Sequence, residues 1–144
     1  MHVVGFFTDS DGHIAFRSIK PAGYPIPIDG PTGELLRAQG RHNMRPAHLH
    51  FLASKDGFKT LISQVYVADD RFIDSDVQFG VTRHLIGNFV KHDGPAPAAN
   101  VTGPWYSLDH NFIMDEGPSK LPRAPISGKA RGERPALPIL ERVP

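Results

Sequence analysis

Two histidines separated by one residue, His48 and His50, are the strongest candidates in this chain for binding a metal ion. They lie in the run Arg-Pro-Ala-His-Leu-His-Phe-Leu-Ala at residues 45–53, whose apolar residues predict a β-strand. Because side chains alternate along a strand, both imidazoles should project from one face, together with Leu52. An imidazole pair on a rigid element is a common half of a metal site. The alternative is two histidines that form ordinary hydrogen bonds at a sheet surface.

Any further metal ligand must be Tyr, Asp, Glu or His, because the chain contains no cysteine and therefore no thiolate or disulfide. A carboxylate from the acidic stretch 69–76 would favour Fe(II) beside the two histidines. A phenolate would instead favour Fe(III), since a hard cation stabilises a hard anionic oxygen, and Tyr ligates iron in some haem proteins. Tyr24 is the phenolate candidate, because Pro25 and Pro27 stiffen the loop around it. Its alternative role is an aromatic side chain packed on the sheet.

Arg45 and Gln64 are the polar residues predicted to lie beside this pair. Arg45 precedes His48 by three residues, so it projects to the opposite face if the strand has already begun. Pro46 makes the start of that strand irregular, which lets Arg45 curl back to the histidine side. Gln64 lies in the next predicted strand, residues 61–68. The alternatives are a solvated charge at the end of a strand and a surface amide.

Short strands joined by turns are predicted for most of the chain, because 14 Pro and 14 Gly disfavour long helices. Residues 3–8 and 13–19 are expected to form a hairpin across the turn at residues 9–12, and residues 34–39 one helical turn. Further strands are expected at 77–82, 86–90 and 105–114. The pattern favours an all-β, antiparallel β-sandwich over residues 1–114. Residues 115–144 are expected to be an extended or partly disordered tail.

Length and composition exclude several classes of function. The 144 residues fit one domain, which at this size can bury about 68–70% of its unfolded surface without a structural metal. A net charge of +1 gives no reason to expect nucleic acid or an anionic membrane as a partner. No apolar run approaches the roughly 18 residues of a membrane span, so a cytoplasmic location is expected.

Four stretches together carry a specific resemblance. Gly-Tyr-Pro-Ile-Pro-Ile-Asp-Gly-Pro at 23–31, Gly-Arg-His at 40–42, Arg-Pro-Ala-His-Leu-His-Phe at 45–51 and Gln64 occur in fixed order and spacing. In this combination the chain closely resembles the intradiol ring-cleavage dioxygenases, which include catechol and hydroxyquinol 1,2-dioxygenases. Asp-Ser-Asp at 74–76 followed by Phe-Gly-Val at 79–81 resembles the hydroxyquinol branch more than the simple catechol branch.

The resemblance implies a transthyretin-like β-sandwich and a non-haem Fe(III) bound by two Tyr, two His and a hydroxide. Tyr24, His48 and His50 match three of these metal ligands, and Tyr24 matches the Tyr that leaves the metal when substrate binds. Arg45 matches the Arg that stabilises charge on the bound catecholate, and Gln64 matches a polar residue of the pocket. The implied partners are a small aromatic diol and O2. The implied reaction opens the ring between the two hydroxyl-bearing carbons to give a cis,cis-muconate.

The chain departs from the family at one ligand. Family members have a second Tyr ligand upstream of Tyr24 and a helical dimerisation region before it, whereas none of the 23 residues preceding Tyr24 is Tyr. Tyr66 and Tyr106 match no ligand position. The chain is therefore expected to be the C-terminal catalytic half, with its sandwich incomplete at the N-terminus and sheet edges exposed. Two interpretations stay open: an iron dioxygenase, or a catalytically impaired remnant that still binds catechols. The sequence also leaves open whether the chain forms a homodimer.

Overall fold

The computed structural model describes residues 5–120, which contain seven short strands, one α-helix and one 3₁₀ turn. The helical elements are α1 (Pro31–Ala38) and the 3₁₀ turn Arg83–Leu85. The strands are β1 (Tyr24–Pro25), β2 (Met44–Arg45), β3 (His48–Ala53), β4 (Leu61–Val67), β5 (Ile86–Gly87), β6 (Val90–His92) and β7 (Trp105–Ser107). This content confirms the predicted all-β class. Within the described part, no helix has the length and apolar character needed to cross a membrane.

The strands form three small sheets, and two of them bring the candidate site residues together. β3 and β4 pair antiparallel, with His48 opposite Tyr66 and His50 opposite Gln64. β1 pairs with β2, which places Tyr24 opposite Arg45. β5 joins the other edge of β4 in parallel. β6 and β7 form the third sheet.

Helix α1 anchors the loop that carries Tyr24. Ile28, at the end of this loop, packs in a buried cluster with Leu36 of the helix and Val77. A Cβ on Gly33 would lie 2.0 Å from the Ile28 carbonyl oxygen, so only glycine allows the helix to approach this closely. The helix is longer than the single turn predicted at 34–39, because Pro31 is well suited to a first helical position.

Of the hairpin predicted for residues 3–8 and 13–19, only the turn is present in the described residues. The Asp9 N–H donates to the His13 carbonyl oxygen at 2.9 Å, but residues 5–8 and 13–19 form no strand. Phe7 and Ile19 are 100% and 87% exposed. For residues 5–8 and 13–19 the prediction of two strands was wrong, because an isolated hairpin is marginally stable in water and no strand of the described part pairs with these residues.

Three later strand predictions were also wrong in extent, and the strand predicted at 86–90 is divided into β5 (Ile86–Gly87) and β6 (Val90–His92). Residues 77–82 form no strand, since the Asp76 carboxylate accepts the N–H groups of Gln78 (3.3 Å) and Gly80 (2.8 Å) and so competes with strand pairing. The strand predicted at 105–114 ends after three residues, where its pairing with β6 ends. The boundary at residue 114 and the tail 115–144 stay predictions, and residues 121–144 lie outside the described part.

Candidate metal centre

Strand β3 places His48 and His50 on one face, as predicted from their spacing. Their Nε2 atoms are 3.1 Å apart, with the rings arranged edge to face. His48 is buried and His50 is exposed, so the pair lies at the border between the interior and solvent.

The orientation of His48 is fixed by the backbone just before it. Its Nδ1 lies 2.6 Å from the Pro46 carbonyl oxygen. Because a carbonyl oxygen only accepts hydrogen bonds, Nδ1 carries the proton and Nε2 keeps its lone pair. A carbonyl in this role is a common means of orienting a metal-binding histidine. The lone pair of His48 Nε2, which lies 3.1 Å from His50 Nε2, is therefore available to a metal ion or to a hydrogen-bond donor.

Tyr24 reaches the same point from β1. Its hydroxyl oxygen lies 3.3 Å from His48 Nε2, and the two rings are tilted with centroids 5.3 Å apart. The close approach depends on Gly23, where a Cβ would lie 2.8 Å from the Arg45 carbonyl oxygen. Tyr24 is 42% exposed, so its ring is held at one side only.

The three atoms form a donor set that suits a hard or borderline cation. A phenol oxygen and an imidazole nitrogen both lie within 3.3 Å of His48 Nε2. Burial lowers the pKa of His48 and of His50, and the Arg45 guanidinium lowers both further, so both imidazoles are neutral and able to ligate near pH 7. Two imidazoles with a phenolate fit iron(III).

A carboxylate ligand from the stretch 69–76 finds no support in the structure. Within residues 5–120, no group of three or more His, Asp or Glu side chains is arranged to hold a metal ion. Asp76, the buried acid of this stretch, is instead paired with Arg45, with Nε 3.3 Å from Oδ1.

Arg45 curls back to the histidine side of the strand. Its Nη1 lies 3.2 Å from His48 Nε2, and its Nη2 donates to the Tyr66 hydroxyl at 2.6 Å. Burial by itself would lower the pKa of Arg45, but the hydrogen bonds to Asp76 and Tyr24 outweigh it and the pKa is raised. A permanent positive charge thus lies against the histidine pair.

Tyr66 and Asp76 are the site residues that the sequence did not reveal. The Tyr66 side chain is fully buried, and its hydroxyl also accepts a hydrogen bond from Gln64 Nε2 at 2.6 Å. Burial raises the pKa of Tyr66 and keeps it a neutral phenol, although Arg45 opposes this. Burial also opposes ionisation of Asp76, yet hydrogen bonds from Arg45 and two backbone N–H groups hold its pKa below the ordinary value. The shared face of residues 64 and 66 was the available sequence signal.

The opposite side of the histidine pair is open. Leu52 and Ile62 lie across from each other on β3 and β4 and are 57% and 58% exposed. A cavity of about 240 Å³ lies here, lined by His50, Ile62, Ser63, Gln64 and Leu85. An apolar surface beside a set of polar donors is typical of a small-molecule site.

Comparison with known proteins identifies the family. The family model Dioxygenase_C, described as "Dioxygenase", matches residues 4–109. Hydroxyquinol 1,2-dioxygenase of a Rhizobium strain is 45% identical over 112 residues, which are 76% of this chain and 38% of the relative. An intradiol ring-cleavage dioxygenase of Aspergillus niger is 39% identical over 139 residues, 94% of this chain and 40% of the relative.

Solved structures agree in fold. Catechol 1,2-dioxygenase from Pseudomonas arvilla matches 90% of this chain and 41% of its own, with a TM-score of 0.68 and 32% identity. 3-Chlorocatechol 1,2-dioxygenase from Rhodococcus opacus matches 76% of this chain and 41% of its own, with a TM-score of 0.67 and 35% identity. The likeness confirms the predicted β-sandwich, of which this chain has a part. The chain belongs to the intradiol ring-cleavage dioxygenase family and corresponds to the C-terminal region of its longer members.

Proposed function

We propose that this chain binds non-haem Fe(III) through Tyr24, His48 and His50 and acts on an aromatic diol as an intradiol dioxygenase. The product would be a cis,cis-muconate, formed when O2 is inserted between the two hydroxyl-bearing carbons. The observation that carries this proposal is that the Tyr24 hydroxyl oxygen and His50 Nε2 both lie within 3.3 Å of His48 Nε2.

Tyr24 and Arg45 would have different roles beside the bound metal. Bound Fe(III) would supply the Lewis acidity that ionises the diol and the redox chemistry that makes it react with O2. Tyr24 would bind the metal as a phenolate after releasing its hydroxyl proton to solvent, and its exposed ring would be free to move and take a proton from a substrate hydroxyl at that same oxygen. Arg45 presents Nη1 beside His48 and would stabilise negative charge on the diol.

Hydroxyquinol is the substrate we place first. Relatives named hydroxyquinol or 6-chlorohydroxyquinol 1,2-dioxygenase are 45% and 46% identical to this chain, whereas a relative from Acinetobacter baylyi named catechol 1,2-dioxygenase is 40% identical. The chain spans only between a third and two fifths of the length of these relatives (38%, 35% and 33%), so activity and substrate are proposals for this chain.

The test is iron loading followed by an assay of ring opening. The purified chain is loaded with ferric iron under air, and O2 uptake is recorded with hydroxyquinol and with catechol. The proposal expects about one iron per chain, O2 uptake with either diol, and formation of the ring-opened dicarboxylate in equal amount. A chain that binds iron but consumes no O2 with either diol contradicts the proposed activity.

A second candidate is a module that binds catechols without cleaving them. It is favoured by the donor set, because among the described residues only the Tyr24 phenol oxygen hydrogen-bonds His48 Nε2, whereas the resemblance implies two Tyr ligands. Fewer anionic ligands would weaken Fe(III) binding and change its redox properties. Binding of a diol to the iron-loaded chain without O2 uptake would establish this candidate instead.

A further inference from the structure

Arg45 and Gln64 both hydrogen-bond to the buried hydroxyl of Tyr66, and Arg45 also pairs with the buried carboxylate of Asp76. Arg45 Nη2 and Gln64 Nε2 both donate to the Tyr66 hydroxyl oxygen at 2.6 Å. Arg45 Nε and Nη2 also face the two carboxylate oxygens of Asp76 at 3.3 and 3.5 Å. Arg45, Tyr66 and Asp76 have exposures of 5%, 0% and 4%, so water does not compete for these bonds.

The hydrogen-bond donors and acceptors of Tyr66, Arg45 and Asp76 can be paired in only one way. The Tyr66 oxygen accepts from both Arg45 and Gln64, so its own proton must be donated elsewhere, and it hydrogen-bonds Asp76. Nε and Nη2 of Arg45 are thereby occupied by Asp76 and Tyr66, and Nη1 faces His48 Nε2 at 3.2 Å on the side where the guanidinium also hydrogen-bonds Tyr24. If a metal ion were bound at the His48 lone pair, Nη1 would lose that acceptor and would be available to an anion.

The turn behind Tyr66 leaves no room for another arrangement. Gly80 lies against the cluster, and a Cβ there would be 2.6 Å from the Tyr66 hydroxyl oxygen and 3.3 Å from Arg45 Nη2. The Gly80 N–H donates to Asp76 at 2.8 Å, which fixes the carboxylate from the other side. Packing against Gly80 and the hydrogen bonds therefore hold the Tyr66 hydroxyl in one and the same position.

We infer that Tyr66, backed by Asp76, is a positioning residue that holds Arg45 with Nη1 facing His48 and holds Gln64 at the wall of the cavity beside His50, where the diol would bind. Tyr66 itself touches neither metal nor substrate in this account. The inference rests on the proposed function for the identity of the anion that Arg45 meets. The ordering of the guanidinium does not depend on that function and is tested separately.

The first test uses metal-free protein and nitrogen-15 NMR of the arginine side chains. In the wild type, rotation of the Arg45 Nη groups should be slow, because both are held. Tyr66→Phe should speed this rotation by about tenfold or more, since one hydrogen bond to a charged group is lost. Tyr106→Phe, at the exposed tyrosine of β7, is the matched control and should change nothing. Unchanged rotation in Tyr66→Phe overturns the inference.

Gly80→Ala keeps the hydroxyl but displaces it, and provides a second variant in case Tyr66→Phe does not fold. It should speed the rotation in the same direction, and a folded Gly80→Ala protein with wild-type rotation also overturns the inference.

The second test measures diol binding without turnover. The iron-loaded chain is titrated with 4-nitrocatechol, whose absorption changes on binding iron. Tyr66→Phe should weaken its binding about tenfold at unchanged iron content, whereas Tyr106→Phe should match the wild type. Equal affinity in Tyr66→Phe contradicts the inference while leaving the proposed function intact. A wild-type chain that takes up no iron contradicts the proposed function, and the NMR result then decides the inference alone.

Discussion

The two sides of the histidine pair differ in how completely the described residues build them. On one side, Arg45 and Asp76 form a buried ion pair with side-chain exposures of 6% and 3%. On the other side, Leu52 and Ile62 of the same two strands are 57% and 58% exposed. Large exposed apolar residues next to a polar cluster mark a surface that contacts something else. The charged side of the site is thus complete in this chain, and its apolar side is open.

The largest effect is expected from breaking the buried ion pair. Asp76→Asn should lower the free energy of unfolding by about 3–5 kcal/mol, because it leaves the buried Arg45 charge without its partner. Chemical denaturation monitored by circular dichroism measures this. Asp74→Asn, at an exposed acid two residues away, should cost less than about 0.5 kcal/mol. Equal losses of stability in Asp76→Asn and Asp74→Asn would contradict the account of Asp76 and Arg45 as a buried ion pair.

Removing either histidine should abolish tight iron binding. His48→Ala and His50→Ala should each weaken Fe(III) binding by more than about 100-fold, since losing a ligand costs more than losing its hydrogen-bonding partner. Isothermal titration with a competing chelator measures this, and His84→Ala, at an exposed histidine, is the control.

The same two variants should differ in stability. His48→Ala should also cost about 1–3 kcal/mol of unfolding free energy, because the Pro46 carbonyl loses its donor. His50→Ala should cost less than about 0.5 kcal/mol, because this side chain is exposed. Equal losses of stability would indicate that His50 is held as firmly as His48.

Acidification should destabilise the metal-free protein. The pKa values of His48 and His50 lie below the ordinary 6.5, so the unfolded chain binds more protons than the folded one as the pH falls below 6.5. The free energy of unfolding should therefore fall below pH 6.5 and level off once the folded histidines are also protonated. Urea denaturation from pH 7.5 to 5 measures this, and replacing both histidines with Asn should flatten the slope. A free energy of unfolding that rises as the pH falls from 7.5 to 5 would contradict this prediction.

The smallest effect is expected on the open side. Ile62→Ser should change the free energy of unfolding by less than about 0.5 kcal/mol, although a core isoleucine would cost several times more. Val65→Ala on the same strand, at a fully buried residue, should cost about 2 kcal/mol. A large loss of stability at Ile62 would mean that this side is covered in solution.

Local patterns predicted the central part of the site. The alternation of β3 placed His48 and His50 on one face, and Pro46 allowed Arg45 to return to that face. Both inferences need only strand geometry and proline chemistry over a few residues.

What the sequence left open depends on contacts between distant residues. Asp76 lies 31 residues after Arg45, and its carboxylate is placed by a turn that nothing in the local pattern identifies. The failed hairpin of residues 3–8 and 13–19 shows the same dependence. Its residues favour strands, but a strand pair is stable only when other elements cover it.

The most direct measurement of the central claim is the visible spectrum of the iron-loaded chain. Ligation by Tyr24 predicts a phenolate-to-iron charge-transfer band in the wild type. Tyr24→Phe should lose or shift the band while His48 and His50 are unchanged, and Tyr106→Phe should retain it. A wild-type chain that stays colourless after iron loading, or a band unchanged in Tyr24→Phe, would contradict the account.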